Sequence, residues 1–325
     1  MIHRRCAAGV DVGGTKIFAG VVDIETGEVL ATARKRTHPE RGSAFFAQRL
    51  IEVIGSAIEA AGENVVLSGV GCGIAGQVDR TQGIILGAPN LAQGLVNFDV
   101  AALLSERFSL PVALANDVEI AALGELHFGA GTDQPSFMFV SVGTGIGGAN
   151  VRDGIIDRGA TGTAGEVGHT IVQYNGRFCG CGGRGHLEAY ASRTAITQVL
   201  RAEMARGRAS LLTEIQRPDD PAIRSKTLAR CVEAGDALVL EVLTEAADYL
   251  GAGLGSVASL INPGRIILGG GLIEAVPVFA ERATLRAREV ALPVAGRALD
   301  IVPSALGDNA GIIGAAWLSG ARASD

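Results

Sequence analysis

One internal echo constrains the fold of this chain more than any other feature. Residues 9–23 read GVDVGGTKIFAGVVD, and residues 139–153 read FVSVGTGIGGANVRD. Each is an apolar run, a glycine-rich turn, a second apolar run and a closing Asp. Aligned directly, Val10 matches Val140, Val12 matches Val142, Gly13 matches Gly143, Ala19 matches Ala149 and Val21 matches Val151. Such self-similarity points to two halves built on one plan. The alternative is that hairpins with glycine turns coincide by chance. A doubled plan needs room for about two cores, and 325 residues supply it.

Strand and helix patterns alternate along the chain, so the class is α/β. Residues 7–12 and 17–22 read as strands, and Glu25-Thr26-Gly27 as a hairpin turn. Residues 43–61 carry Phe46, Leu50, Ile54 and Ile58 on one stripe, which predicts a helix. Residues 65–71 and 112–115 return as strands, and Asn116 then caps a helix beginning at Asp117. Helical patterns cover 186–206 and 236–261, where Asn262-Pro263-Gly264 stops the second. A strand at 265–268 runs into Gly269-Gly270-Gly271, and 309–319 is a small, apolar final helix.

Composition excludes several functions. The net charge of −6 leaves no sequence-wide basic footprint for nucleic acid. No apolar stretch is long enough to span a bilayer, and the first residues run straight into a strand, so neither membrane nor signal peptide is expected. Five cysteines in this length make no disulfide framework, which favours the cytoplasm. The 46 glycines, about twice ordinary usage, cluster between apolar runs, where turns bring backbone close to a ligand.

Asp11-Val12-Gly13-Gly14-Thr15-Lys16 has the spacing of neither a P-loop nor a dinucleotide fingerprint. It is a turn between strands whose N–H groups, with the Thr15 hydroxyl, suit phosphate oxygens. Asp11 could hold hydrated Mg²⁺, or it could simply cap the turn. Gly143-Thr144-Gly145 offers a second such turn, and Gly269-Gly270-Gly271 a flat surface for adenine or ribose. Asp117 is a carboxylate in the first turn of a helix, where the macrodipole favours an anion. It suits a general base, although capping alone would also explain Asn116 and Asp117.

These motifs, together with Gly73-Ile74-Ala75-Gly76, Pro89-Asn90-Leu91, Gly165-Glu166-Val167-Gly168-His169 and the run from Cys179 to Glu188, resemble the ROK family of sugar kinases and repressors over essentially the whole chain. The resemblance implies an actin-like, ribonuclease H-like duplicated two-domain α/β fold with a cleft between domains. Residues 1–117 plus about 307–325 would form the smaller domain, and 118–306 the larger one with a zinc-binding loop. It implies ATP-dependent transfer of a γ-phosphate to the 6-hydroxyl of a hexose, with Asp117 as base. Gly76, Asn90, Asn116, Asp117, Glu166, His169 and Glu188 would bind the sugar, and Lys16 would join Asp11, Gly13, Gly14 and Thr15 at the nucleotide. Glucose is the first expectation; N-acetylhexosamines, mannose and fructose are alternatives. A homodimer or homotetramer is expected. A sugar-sensing regulator is the remote alternative, but the phosphate turn starts at Asp11, which leaves no room ahead of it for a DNA-reading helix.

His169, Cys179, Cys181 and His186 form a donor set suited to tetrahedral Zn²⁺. Family members typically use one His and three Cys, and here His186 stands where the third Cys is expected. Either His186 ligates, giving a structural His₂Cys₂ site, or the metal is weak and the two cysteines are free thiols. Two more departures from the family pattern are Ala75 in place of Pro, and Gln93-Gly94-Leu95 where glucokinase-like members often carry Trp.

Overall fold

The computed structural model describes residues 4–322 apart from 64, 89–90, 217–219 and 221. Two compact units divide the chain: Met1–Pro135 with Asp308–Asp325, and Ser136–Gly307.

In the first unit, β1 (Cys6–Val12), β2 (Lys16–Asp23) and β3 (Val29–Arg36) form an antiparallel meander. Helix α1 (Gly42–Ala61) crosses to β4 (Leu67–Ile74), which lies parallel to β1. The short strands β5 (Gln77–Asp79), β6 (Ile84–Gly87) and β7 (Phe98–Asp99) make a separate small sheet. Helix α2 (Val100–Phe108) then leads to β8 (Val112–Asn116), parallel to β4, and α3 (Asp117–Phe128) follows at once. The main sheet has the order β3-β2-β1-β4-β8. Apolar side chains recur every third or fourth residue of α1, so Phe46, Leu50 and Ile54 enter the core with Val10, Val12 and Ile74.

The second unit opens with β9 (Phe137–Val142), β10 (Ile146–Arg152) and β11 (Ile155–Asp157). Helices α4 (Glu188–Ala191), α5 (Arg193–Ala205), α6 (Leu212–Ile215), α7 (Ser225–Glu233) and α8 (Ala237–Leu260) follow. Strand β12 (Arg265–Gly269), helices α9 (Gly271–Ala275), α10 (Pro277–Val290) and α11 (Pro293–Ala298), and strand β13 (Ile301–Pro303) close it. Its sheet order is β11-β10-β9-β12-β13. Direction repeats as well: the meander is antiparallel, and β12 and β13 run parallel to β9 and to each other. The chain is thus a duplicated α/β protein of the actin-like kind. Finally α12 (Ala310–Arg322) belongs to the first unit.

The echo is real but not in the register of a direct alignment. Val12 pairs with Ile17 across four turn residues, whereas Val142 pairs with Ile146 across three. The second turn is one residue shorter, so Val10 faces Ala19 while Val140 faces Gly148, not Ala149. Since a one-residue shift moves every side chain to the opposite face, Ile146 is the counterpart of Ile17, and the matches Ala19–Ala149 and Val21–Val151 do not hold.

Two more expectations change. The unit boundary lies at Pro135/Ser136 rather than 117/118, because α3 packs on α12. That packing relies on glycines: a Cβ on Gly314 would strike the Ile120 carbonyl oxygen and lie 2.5 Å from Gly124 N. The continuous helix expected at 186–206 breaks at Ser192, whose hydroxyl accepts from Ala195 N and starts α5 afresh.

Candidate functional site

In the first unit the β1–β2 turn is tied from two sides. Gly13 N–H donates to Lys16 O at 2.9 Å. From the end of β3, Thr37 Oγ1 donates to Gly13 O at 2.6 Å and Thr37 N–H to Thr15 O at 3.1 Å. Lys16 Nζ reaches Asp308 Oδ1 at 2.7 Å, and Arg34 reaches Asp308 Oδ2 at 3.4 Å. Desolvation alone would raise the Asp308 carboxyl, but the Lys16 hydrogen bond and the Lys16 and Arg34 charges outweigh it and hold it low. Asp11 lies against Gly311 of α12. Burial pushes its carboxyl up to about 6, helped by Asp308 and opposed by Lys16. A carboxylate destabilised in this way gains from a cation, as Mg²⁺ binding would require.

On the same sheet, β8 ends in the sugar-site candidates. Asn116 Oδ1 accepts from Val118 N at 2.8 Å and Glu119 N at 3.3 Å, capping α3. Its Nδ2 donates to Gly76 O at 3.1 Å. Asn116 therefore joins the end of β8 to the turn after β4 and fixes the backbone from which Asp117 projects. Asp117 is half-buried and opens α3. Nearby, Glu119 is raised by desolvation, partly offset by Arg80 at 3.4 Å. Asn90 lies outside the described residues.

The second unit gathers the remaining candidates. Glu188 Oε2 accepts from Ile146 N–H at 2.8 Å, directly beneath Gly143-Thr144-Gly145. A Cβ on Gly145 would strike that same oxygen, so this turn needs glycine there. Glycine is needed at 168 for a similar reason: a Cβ would strike Ile146 O, and its absence lets the turn Val167–His169 lie flat on β10. Gly270, at φ 93°, seats its Cα over Val142, where a Cβ would come 2.6 Å from the carbonyl oxygen. Gly269-Gly270-Gly271 and Gly143-Thr144-Gly145 are thereby neighbours.

His169, Cys179, Cys181 and His186 bring one ligand atom each to within 4.8 Å of one another. Cys181 Sγ lies 3.2 Å from His186 Nδ1, and Cys179 Sγ 3.9 Å from His169 Nδ1. Tetrahedral Zn²⁺ with S and N ligands separates donor atoms by roughly 3.3–3.8 Å; the donor types suit the ion, and separations of up to 4.8 Å would have to close slightly around it. Burial lifts the Cys179 thiol to about 11, and the Glu188 charge adds to the rise. A bound cation would relieve that cost by taking the thiolate. The loop is anchored by Arg177 N–H donating to Tyr190 Oη at 2.7 Å and by Leu187 N–H donating to Thr170 O at 2.9 Å. Cys179 Sγ also lies 3.6 Å from Glu188 Oε1. With Nδ1 toward the cluster, His169 turns Nε2 to Glu166 Oε2 at 4.0 Å. Desolvation, reinforced by Glu188, lifts the Glu166 carboxyl against the pull of His169.

Sequence reasoning missed Arg193. Its Nη2 donates to Thr144 Oγ1 at 2.7 Å, and its N–H donates to Gly143 O at 2.9 Å. The available signal was Ser192, an N-cap residue type inside an apparent helix.

Residues 7–322 match the ROK family. Glucokinase of Streptomyces coelicolor is 34% identical over 96% of this chain and 96% of its own. Glucokinase of Halalkalibacterium halodurans is 31% identical over 97% of this chain and 94% of its own. The crystal structure of a ROK family glucokinase from Streptomyces griseus in complex with glucose and AMPPNP superposes with a TM-score of 0.82, at 33% identity, over 96% of this chain and 98% of that one. By the family match over residues 7–322 and by this identity across nearly its whole length, this chain belongs to the ROK family.

Proposed function

We propose that this protein is an ATP-dependent hexokinase whose substrate is glucose. The observation that carries the reading is its likeness, at 33% identity over 96% of the chain, to a ROK glucokinase crystallised with glucose and AMPPNP. Gly76, Asn90, Asn116 and Asp117 of the first unit and Glu166, His169 and Glu188 of the second are the proposed sugar residues. Carboxylates, amides and imidazole suit a hexose because each hydroxyl both donates and accepts. The turns at Gly13-Gly14-Thr15-Lys16 and Gly143-Thr144-Gly145, with Gly269-Gly270-Gly271, are the proposed ATP residues.

In the proposed step the Asp117 carboxylate takes the proton of the sugar 6-hydroxyl. The sugar oxygen bonds to the γ-phosphorus as the bond to the β–γ bridging oxygen breaks, and ADP leaves with that electron pair. Mg²⁺ at Asp11 would neutralise phosphate charge. Zn²⁺, held by His169, Cys179, Cys181 and His186, would be structural, fixing the loop that carries Glu188 and the tilt of His169. No two of the five cysteines are joined in a disulfide, which suits the proposed cytoplasmic setting; a homodimer or homotetramer is the proposed assembly.

A coupled ADP-release assay with glucose, mannose, fructose, N-acetylglucosamine and N-acetylmannosamine tests the reading. Highest kcat/KM with glucose is expected. A clear preference for another sugar would move the substrate, and no ADP release with any would overturn the enzyme.

A further inference from the structure

The α4–α5 break leaves a cation in an unfavourable place. Arg193 is the first residue of α5, a 13-residue helix, where the positive end of the helix dipole disfavours a positive side chain. No carboxylate pairs with its guanidinium among the described residues. Its Nε is buried and makes no hydrogen bond, and desolvation lowers its pKa. Arg193 is half-buried, and a partly desolvated charge with no anion beside it is costly, so an anion is the missing partner.

The surroundings say where that anion sits. The carbonyls of the Gly143-Thr144-Gly145 turn are consumed by α5: Gly143 O accepts from Arg193 N–H at 2.9 Å, and Thr144 O from Thr194 Oγ1 at 2.7 Å. The N–H groups of Thr144 and Gly145 make no hydrogen bond among the described residues. Thr144 Oγ1 accepts from Arg193 Nη2 at 2.7 Å. A hydroxyl that accepts from a guanidinium keeps its own proton for another acceptor.

We propose that Arg193 is a positioning residue for the phosphate chain of the phosphoryl donor, holding the Thr144 hydroxyl as a donor toward that chain and adding the charge that the chain's terminal phosphates need. The inference rests on the kinase reading above. The shared chemistry is a run of phosphates, whether from a nucleoside triphosphate or an inorganic polyphosphate.

Calorimetry on Arg193→Met, Arg193→Lys and Thr144→Val, alone and combined, tests it. Arg193→Met should bind AMPPNP and inorganic tripolyphosphate at least about tenfold more weakly, the loss of one charge-assisted hydrogen bond. AMP and glucose affinities and the melting temperature should stay near wild type, and Arg193→Lys should recover part of the loss. In the Thr144→Val background, Arg193→Met should cost less, because part of the arginine's effect passes through Thr144. Equal losses for AMP and AMPPNP, or full additivity of the two substitutions, would make Arg193 a structural residue and overturn the proposal. So would unchanged AMPPNP binding in Arg193→Met, which leaves the kinase reading standing; wild-type protein that binds neither AMPPNP nor tripolyphosphate would remove both.

Discussion

Asn116 Nδ2 donates to Gly76 O at 3.1 Å while the Oδ1 of the same amide caps α3 through Val118 N. One side chain thus serves two roles, and substitution can separate them. Asn116→Asp keeps the capping oxygen and loses the donor. It should stay within about 0.5 kcal/mol of wild type, since Asp and Asn cap equally well, and still raise the KM for glucose. Asn116→Ala loses both and should also cost about 1–2 kcal/mol in urea unfolding. Equal glucose KM for wild type and Asn116→Asp would show that the Gly76 link does not matter.

Glycine at the α3–α12 contact is a steric need. A Cβ on Gly314 would strike Ile120 O and lie 2.8 Å from the carbonyl carbon, with backbone on every side. Gly314→Ala should destabilise the protein by about 1–3 kcal/mol through overpacking, read from the denaturation midpoint. No loss would mean that the two helices separate freely.

Metal content is a direct readout of the His/Cys loop. Purified protein should carry about one zinc per chain, since a closed four-ligand site holds its ion. His186→Ala should lose zinc and melt lower, whereas His186→Cys should keep it. Fewer than ~0.2 zinc per wild-type chain, against the full site expected, would leave Cys179 and Cys181 as free thiols.

Asp11 predicts a pH dependence of the ligand-free protein. Its carboxyl is raised to about 6 by burial, above the ordinary carboxylate range near 3.9. Between those values the folded state holds the proton more tightly than the unfolded chain, so this group's stabilisation is complete below about pH 4 and is lost as pH rises through about 6. Asp11→Asn removes the charge. Measured without nucleotide, it should be more stable than wild type at pH 8, with a smaller difference at pH 4. The opposite trend would place Asp11 in a solvated setting.

Much of this was legible in the sequence, for local reasons. Asn116 and Asp117 announce a helix start because capping uses neighbours two and three residues away. The glycine turns and the His169, Cys179, Cys181 and His186 spacing are equally local. The register of the repeat was not legible, because a turn of three residues and one of four leave the same apolar pattern around them. Nor was the placing of α3, which depends on glycines far apart at 124 and 314. Glu188 shows the same limit: its grip on Ile146 N–H spans 42 positions, and no motif records it. Arg193 stayed hidden because its importance lies in a contact with Thr144 made only once the helix breaks at Ser192.

Asp117 as the base in phosphoryl transfer to glucose is tested by steady-state turnover of glucose and ATP by wild type and Asp117→Asn, with glucose affinity and melting temperature measured on both. Wild type should give glucose 6-phosphate and ADP in equal amounts. Asp117→Asn should be a folded, glucose-binding protein whose kcat is at least ~10²-fold lower, the low end for loss of a general base. Near-normal turnover in Asp117→Asn, or no glucose 6-phosphate from wild type, would contradict it.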